Sequence, residues 1–289
     1  MHKLAILTTD DLEEFFVYDH LAYEPLEKMG WSVEEVSWRD QSVDWNWYDV
    51  VVIRSTWDYQ AEPEAFLRVL EQIEASSAAL ENSLALVQWN ISKDYLKQLE
   101  SKGVPIVPTI WCDTYDYNQI VTAFEELNCD EIVLKPWVSA NADHTYRLAL
   151  SDVKDQAEGI TSVFSKRQYM IQPFLPSVIQ EGEYSLFYFG GKYSHCIIKI
   201  PKQQDFRVQE EHGGQIRSVS ADPELLRASE IALAALPEKP LYARIDLIKY
   251  QAEYVVMEIE LIEPSLYFNM DPESAQRFAN AFVDKYGHD

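Results

Sequence analysis

Near its C-terminal end the chain contains the stretch MEIELIEPS, residues 257–265, in which apolar residues alternate with acidic ones. This period of two predicts a strand whose side chains point alternately to opposite faces, so that Glu258 and Glu260 share one face, roughly 7 Å apart. Like charges at that separation repel unless water or a cation lies between them. The stretch alone leaves two interpretations open: a half-buried strand with a solvated acidic face, or a carboxylate site for a cation.

A second predicted strand precedes this one. The segment ARIDLI, residues 243–248, carries Asp246. A short turn at residues 251–252 would make the two strands antiparallel neighbours, with Asp246 beside Glu258. Three carboxylates on adjacent strands form an oxygen-rich site that suits Mg²⁺, because this ion takes few protein carboxylates and completes its shell with water and phosphate oxygens.

The rest of the chain predicts an α/β N-terminal third followed by an α+β remainder. Apolar strands at residues 4–9 and 49–57 alternate with helical patterns at 18–29 and 63–75, an order typical of a parallel sheet covered by helices. The second half contains long strands, and a glycine pair at residues 190–191 predicts the hairpin that joins the first two.

The composition indicates a folded and strongly acidic protein. The 289 residues include 24 Lys and Arg against 48 Asp and Glu, a formal net charge of −24, and 47% are hydrophobic. Such a surface repels phosphate backbones and acidic lipids, so we expect neither nucleic acid nor membrane as a partner. Three scattered cysteines, with no apolar run long enough for a signal peptide or a membrane helix, favour a cytoplasmic location.

Basic residues are scarce, and four of them fall on predicted strands beyond residue 130: Lys135, Lys199, Arg207 and Arg244. A lysine at the end of an apolar strand is usually a surface residue whose ammonium group reaches solvent. Four such cations in an acidic chain also fit a local site that neutralises a triphosphate bridged by metal to the carboxylates.

The ordered set of motifs resembles the ATP-grasp superfamily over nearly the whole chain. The motifs are Lys93 within WNISKDYL, then VLKP (133–136), QPF (172–174), GEYS (182–185), DFRVQEEHGG (205–214), ARID (243–246) and EIELIEPS (258–265). The branch with bacterial glutathione synthetase and the ribosomal-protein glutamate ligases is similar. The O-ureido-D-serine cyclo-ligase type is nearer still, since it has similar RSTWDY and WNxxKxYL segments.

The resemblance implies an ATP-grasp fold that holds ATP between two antiparallel sheets, with Mg²⁺ as a second cofactor. Its parts would be an N-terminal α/β domain at residues 1–108, a small lid subdomain at 109–174, and a C-terminal antiparallel-sheet subdomain at 175–289.

The resemblance also implies roles for individual residues at the nucleotide, the transferring phosphoryl group and the metal. The nucleotide residues are Lys93, Lys135, Gln172, Phe174, Leu175 and Glu183; the catalytic residues are Arg207, Lys199 and Arg244; the metal ligands are Asp246, Glu258 and Glu260. Four further residues are predicted to contact the substrate: Arg54, Ser55, Glu263 and Ser265. For RSTWDY (54–59), a strand-to-helix loop that only packs locally is the alternative.

Two segments depart from the family pattern. The usual EIN reads EIE, so Glu260 replaces an asparagine, which keeps an oxygen ligand and adds a charge. The phosphate-covering loop KPWVSANADHT (135–145) contains no glycine. We expect the backbone N–H groups of residues 139–142 to cradle phosphate, with help from Thr145.

These observations predict an ATP-dependent ligase that joins a carboxylate to an amine. ATP would convert the carboxylate to an acylphosphate, which the amine then attacks. We expect small-molecule carboxylate and amine substrates, amino-acid-like in kind, and a possible homo-oligomer. The alternatives are a ligase that modifies a peptide or protein side chain and a non-catalytic ATP-binding protein of the same fold.

Overall fold

The computed structural model describes residues 2–13, 15–139, 143–202 and 205–287. Three sheets follow one another along the chain, the first parallel and the other two antiparallel. The predicted α/β beginning and α+β remainder are therefore confirmed. In the described ranges no helix is both long enough and apolar enough to cross a membrane.

The first sheet is parallel and buried between helices. Its elements are β1 (His2–Thr8), α1 (Tyr23–Lys28), β2 (Trp31–Ser37), β3 (Val50–Ser55), α2 (Pro63–Glu74) and β4 (Ala79–Glu81). The strands lie in the order β2-β1-β3-β4. Every residue of β3 is buried, as expected for a central strand covered on both faces. Pro63 opens α2, where its fixed φ suits the first helical turn.

Two short helices lead from this sheet to the second one: α3 (Leu84–Asn90) and α4 (Tyr95–Ser101). The elements of the second sheet are β5 (Ile110–Cys112), α5 (Tyr117–Glu126), β6 (Glu131–Pro136), β7 (Tyr146–Ala149), α6 (Asp152–Asp155), α7 (Ala157–Phe164) and β8 (Tyr169–Pro173). Its strand order is β5-β8-β6-β7. Ile132 and Leu134 of β6 pack with residues of α5 and α7. Since side chains alternate along a strand, Val133 and Lys135 face the opposite way.

The third sheet forms the C-terminal part of the chain. Its elements are α8 (Ser177–Gln180), β9 (Glu183–Phe189), β10 (Lys192–Ile200), β11 (Gln215–Val219), α9 (Pro223–Ala234), β12 (Tyr242–Tyr250), β13 (Glu253–Glu260) and α10 (Ser274–Tyr286). The strand order is β11-β10-β9-β12-β13. The hairpin predicted at Gly190 and Gly191 joins β9 to β10, and both glycines have positive φ. The predicted subdomain limits at residues 108 and 174 stay predictions.

The pairing of β12 with β13 is the predicted one. Asp246 lies directly opposite Glu258, while Leu247 lies opposite Val256, so Met257 is an extra residue in β13. This bulge lets Val256 and Ile259 share one core cluster although they are three residues apart. Glu258 and Glu260 stay on the other face of the strand.

The outer edge of β13 is covered by side chains from the N-terminal part of the chain. Asn90 and Ser92 are candidates, from their sequence positions, to cap a helix that begins near residue 93. The structure shows instead that Asn90 ends α3: its side chain donates to the Ile259 carbonyl and accepts from the Leu261 N–H, both at 2.9 Å. The reason is that β13 is an edge strand, whose free backbone groups need partners when buried.

Candidate active site

A cleft of about 1600 Å³, open to solvent, lies between the second and third sheets and is bordered by loops of the first. The predicted site residues that line it are Lys93, Lys135, Gln172, Phe174, Leu175, Glu183, Lys199, Arg207, Arg244, Asp246, Glu258, Glu260, Glu263 and Ser265. The structure therefore brings together residues that are far apart in sequence.

Two lysines, Lys93 and Lys135, face the cleft. Lys93 Nζ lies 2.8 Å from the Glu258 carboxylate and donates to the Ser139 carbonyl at 2.7 Å. Lys135 Nζ has only the Met257 sulfur within hydrogen-bonding range, at 3.4 Å, among the described atoms. Burial lowers the pKa of Lys135 because the charged form loses its hydration, despite the attraction of Glu258. Lys135 is thus a cation that an anionic ligand would stabilise.

An apolar compartment adjoins the two lysines. Phe174, Leu175 and Val208 form one buried cluster with neighbours from the third sheet. The Arg147 guanidinium lies 3.6 Å from the centre of the Phe174 ring and is held there by Glu131. The apolar lining of this compartment suits a heterocyclic ring. Sequence patterns gave no sign of Arg147, because its partners come from other strands.

A buried ion-pair network forms the floor of the cleft. Lys199 Nζ lies 2.5 Å from Glu183 and 3.2 Å from Asp246. The Arg244 guanidinium binds Asp246 at 2.9 Å and also pairs with Glu260. Burial opposes the ionisation of Asp246, but the attraction of Arg244 and Lys199 outweighs it and lowers the pKa to about 2. Lys199 and Arg244 are thereby fixed beside the carboxylates that are predicted to bind Mg²⁺.

The same network leaves Glu260 with surplus negative charge around it. Burial raises its pKa to about 8, against the attraction of Arg244, and repulsion from Asp246 and Glu258 adds to the rise. Burial also raises the pKa of Glu183 although Lys199 attracts it. Nearby negative charges raise the pKa of a carboxyl group because they oppose its ionisation. A cation bound beside Glu258 and Glu260 would reduce this repulsion and stabilise the ionised carboxylates.

The predicted metal ligands do not form a ready-made cluster. Across the described residues no group of three or more His, Cys, Asp or Glu side chains is placed to hold a metal. Lys93 and Arg244 bind Glu258 and Glu260 instead. The donor set still fits Mg²⁺, because all its atoms are carboxylate oxygens and the ion needs only one or two of them beside water and phosphate. The assignment stays a prediction.

Arg207 and the loop before it adopt a locally paired arrangement. The Arg207 guanidinium is held by Asp205, with Nη2 to Oδ2 at 2.8 Å, and 40% of its side chain is exposed. Hydrogen bonds from Arg207 hold the pKa of Asp205 well below its usual range. Of the predicted phosphate loop, Ser139 and Thr145 line the cleft, and residues 140–142 lie outside the described residues.

Glu263 lies at the other end of the cleft, next to loops of the first sheet. Its side chain is 9% exposed and accepts a hydrogen bond from Gln60 Nε2 at 3.3 Å, while its backbone carbonyl accepts one from Trp57 Nε1 at 2.8 Å. Burial raises the pKa of Glu263 to about 7, against a hydrogen bond from Tyr59. Tyr59 and Gln60 are neighbours that the sequence patterns did not single out as site residues.

Arg54 and Ser55 are not among the residues that line the cleft. Arg54 is 1% exposed; it binds Asp19 at 3.0 Å and donates to the Pro264 carbonyl at 2.5 Å. Ser55 donates to the same carboxylate at 2.6 Å. Arg54 therefore holds the loop that carries Glu263 from behind, and Ser55 helps to fix the Asp19 carboxylate that pairs with Arg54.

Comparisons with known proteins agree with this architecture. Residues 107–267 match the family described as prokaryotic glutathione synthetase, ATP-grasp domain, and residues 4–82 match the N-terminal domain of D-cycloserine synthetase DcsG. The chain is 29% identical to the cycloserine biosynthesis protein DcsG of Streptomyces lavendulae, over 89% of this chain and 90% of that protein.

Solved structures show the same fold. The crystal structure of D-cycloserine synthetase DcsG superposes with a TM-score of 0.86 at 27% identity, over 98% of this chain and 99% of the other. A RimK domain ATP-grasp protein from Sphaerobacter thermophilus gives a TM-score of 0.73 at 13% identity, over 96% of this chain and 98% of that one. The family match alone spans more than half of the 289 residues. The chain therefore belongs to the ATP-grasp family of ligases.

Proposed function

We propose that this ATP-grasp ligase joins a carboxylate to an amine on a small, amino-acid-like substrate and releases ADP and phosphate. The observation that carries the proposal is the convergence of Lys93, Lys135, Lys199 and Arg244 on one carboxylate-lined cleft. Three of these cations are paired with acids of the cleft, but Lys135 has no acid within salt-bridge distance among the described residues, so a bound anion such as ATP would stabilise its charge.

The chemistry uses these cations in two steps. A carboxylate oxygen of the substrate attacks the terminal phosphorus of ATP, the bond to the bridging oxygen breaks, and ADP leaves. The amine then attacks the acyl carbon, phosphate leaves with the former carboxylate oxygen, and the nitrogen loses a proton. Lys135 and Lys93 are placed to bind phosphate oxygens, and Lys199 and Arg244 to balance the charge that develops in both steps.

The wall of Asp246, Glu258 and Glu260 would hold Mg²⁺. When bound, the ion supplies positive charge to phosphate oxygens during transfer. The chain's own contribution there is to fix the carboxylates: Ser185 donates to Asp246 at 2.6 Å, and Asn90 and Tyr95 hold the backbone beside Glu258 and Glu260.

The similarity to DcsG supports a small substrate. Cycloserine is a small ring closed between a carboxyl carbon and a nitrogen, which is a carboxylate-to-nitrogen bond within one molecule. We therefore propose D-cycloserine as the first product to seek. The three free cysteines of the protein favour a reducing compartment such as the cytoplasm. That the protein forms a homo-oligomer stays a prediction.

The test is ADP release from ATP and Mg²⁺ across a panel of amino acids and other small carboxylates, each with and without an amine. We expect release that depends on the carboxylate, with loss of about 100-fold or more in Lys135→Met because one charge-stabilising group is gone. Lys154→Met, at an exposed lysine of the same region, is the control and should keep full activity. Release of AMP instead of ADP would overturn the acylphosphate mechanism.

A further inference from the structure

One buried carboxylate of the cleft, that of Glu263, forms no ion pair with any described residue, and Lys93 attracts it only from a greater distance. The paired acids are Glu183 and Asp246 with Lys199, Glu258 with Lys93, and Glu260 with Arg244. For Glu263, the described part of the chain provides no Lys, Arg or His nitrogen within 4 Å of the carboxylate. Its only side-chain partners there are the neutral groups of Gln60 and Tyr59.

The backbone that carries Glu263 is fixed on both sides. Trp57 holds the carbonyl of Glu263 itself, and the buried Arg54 holds the next carbonyl, that of Pro264. Further along the same loop, the Ser265 carbonyl lies 3.5 Å from Arg244. These contacts fix the backbone of the loop, and the carboxylate of Glu263 lies at the edge of the cleft, where Gln60 donates to it at 3.3 Å.

A carboxylate in this position lowers the stability of the free protein. Removal from water disfavours its charge, and two neutral hydrogen-bond donors return only part of the lost hydration. A cationic group of a ligand would compensate for the hydration that the Glu263 carboxylate has lost. The neighbouring rings of Trp57 and Phe15, 5.1 Å apart, line the same end of the cleft, and aromatic faces attract ammonium groups.

We infer that Glu263 binds an ammonium group of the substrate that takes no part in the reaction. This rests on the proposed function, in which the reacting carboxylate lies near Lys199 and Arg244. The loop 263–265 connects Glu263 to the place of the reacting carboxylate, because the Ser265 carbonyl contacts Arg244. The substrate class is then an amino acid or amino-acid derivative that keeps one protonated amine throughout.

The test compares two probes that differ only in this amine. D-Cycloserine carries a primary amine, and isoxazolidin-3-one is the same ring without it. Binding is measured by calorimetry in the presence of ADP and Mg²⁺. We expect the wild-type protein to bind D-cycloserine about tenfold or more tightly than isoxazolidin-3-one, the value of one charge-assisted contact. Glu263→Gln should bind both probes equally.

Glu253→Gln, at an exposed acid on β13, is the matched control and should bind as the wild type does. Glu263→Gln should unfold at the wild-type temperature or above it, because it removes an uncompensated charge. Equal binding of the two probes to the wild-type protein, or no binding of either, overturns the inference. A Glu263→Gln protein that lowers kcat but keeps the preference for the amine would overturn it in favour of a proton-accepting role.

The two proposals fail in different ways. If the wild-type protein does not bind ADP with Mg²⁺, the proposed function itself is wrong. If it binds ADP and releases it from ATP with a carboxylate, but does not distinguish the amine, only the role of Glu263 is wrong.

Discussion

At the scale of single residues, the structure separates side chains that face the ligands from those that support them. Lys135 and Glu263 face the cleft, and neither has an oppositely charged group within salt-bridge distance among the described residues; Glu258 attracts Lys135, and Lys93 attracts Glu263, only from farther away. Arg54 and Asp19 lie behind it, 1% and 5% exposed, and balance each other. We expect the charges of Lys135 and Glu263 to lower stability and to be necessary for function. We expect the Arg54–Asp19 pair to be necessary for stability, with no direct role in the reaction.

This distinction predicts the effect of removing Arg54. Arg54→Met leaves Asp19 buried and unpaired, so we expect the free energy of unfolding to fall by about 3–5 kcal/mol. Adding Asp19→Asn should restore part of the loss, since the unpaired charge disappears. Urea unfolding of the two single variants and the double variant measures the coupling.

Arg39→Met is the control for Arg54, because Arg39 pairs with Asp58 and Glu62 near the surface. We expect it to cost about 1 kcal/mol or less. A loss in Arg54→Met no larger than that in Arg39→Met, or a double variant less stable than both singles, would contradict the supporting role.

At the scale of elements, β13 is the strand on which the site depends. It is an edge strand: the side chains of Asn90 and Tyr95 satisfy its outer backbone groups at Ile259 and Leu261, and the backbone of Pro105 and Val107 pairs with Val256. Its other edge pairs with β12, which sets Asp246 opposite Glu258. The positions of Glu258 and Glu260 therefore depend on two helices more than 150 residues earlier in the chain.

Replacement of Asn90 should expose this dependence. Asn90→Leu keeps the volume but leaves the buried Leu261 N–H without its acceptor, which we expect to cost about 1–3 kcal/mol. ADP release should fall as well, because the segment between Glu258 and Glu260 loses its outer support. Urea unfolding and the ADP assay measure the two effects.

Asn118→Leu, at an exposed position near the start of α5, is the matched control and should stay within about 0.5 kcal/mol of the wild type. Tyr95→Phe should behave like Asn90→Leu, since it removes the hydroxyl that contacts both backbone groups of Ile259. Unchanged stability and activity in Asn90→Leu would show that β13 holds its place without that contact.

At the scale of the whole molecule, the net charge of −24 sets the electrostatic background. The cations of the cleft are local exceptions within an acidic surface. Self-repulsion of that surface opposes folding, and dissolved salt screens it, with a Debye length near 10 Å at about 0.1 M and about 3 Å at 1 M.

We expect the melting temperature to rise by several degrees between about 0.02 M and 0.5 M NaCl, where each kcal/mol of added stability corresponds to about 2–4 °C. A variant that neutralises three exposed acids of α2, Glu64→Gln, Glu71→Gln and Glu74→Gln, should melt higher at low salt and respond less to NaCl. Thermal unfolding followed by circular dichroism tests this. A melting temperature that falls with salt would show that attractive ion pairs dominate instead.

Local patterns were sufficient for much of the fold. Alternation in MEIELIEPS predicted which face carries Glu258 and Glu260, and the short turn before it predicted the pairing with Asp246. The glycine pair at 190–191 predicted its hairpin. Patterns failed for β11, a short strand with mostly exposed residues, and for α3, whose short apolar run LALV shows no clear helical or strand period.

Periodicity and short turns between neighbours are enough to predict the long strands and their faces, and the ordered motifs are enough to predict the family's cations and acids. Which charges are paired depends on how the sheets pack. Asn90 meets Ile259 across 169 residues, Arg54 meets Pro264 across 210, and Gln60 meets Glu263 across 203. No local pattern encodes such contacts, because they arise when separate sheets pack together, and that packing leaves Lys135 and Glu263 without oppositely charged partners among the described residues.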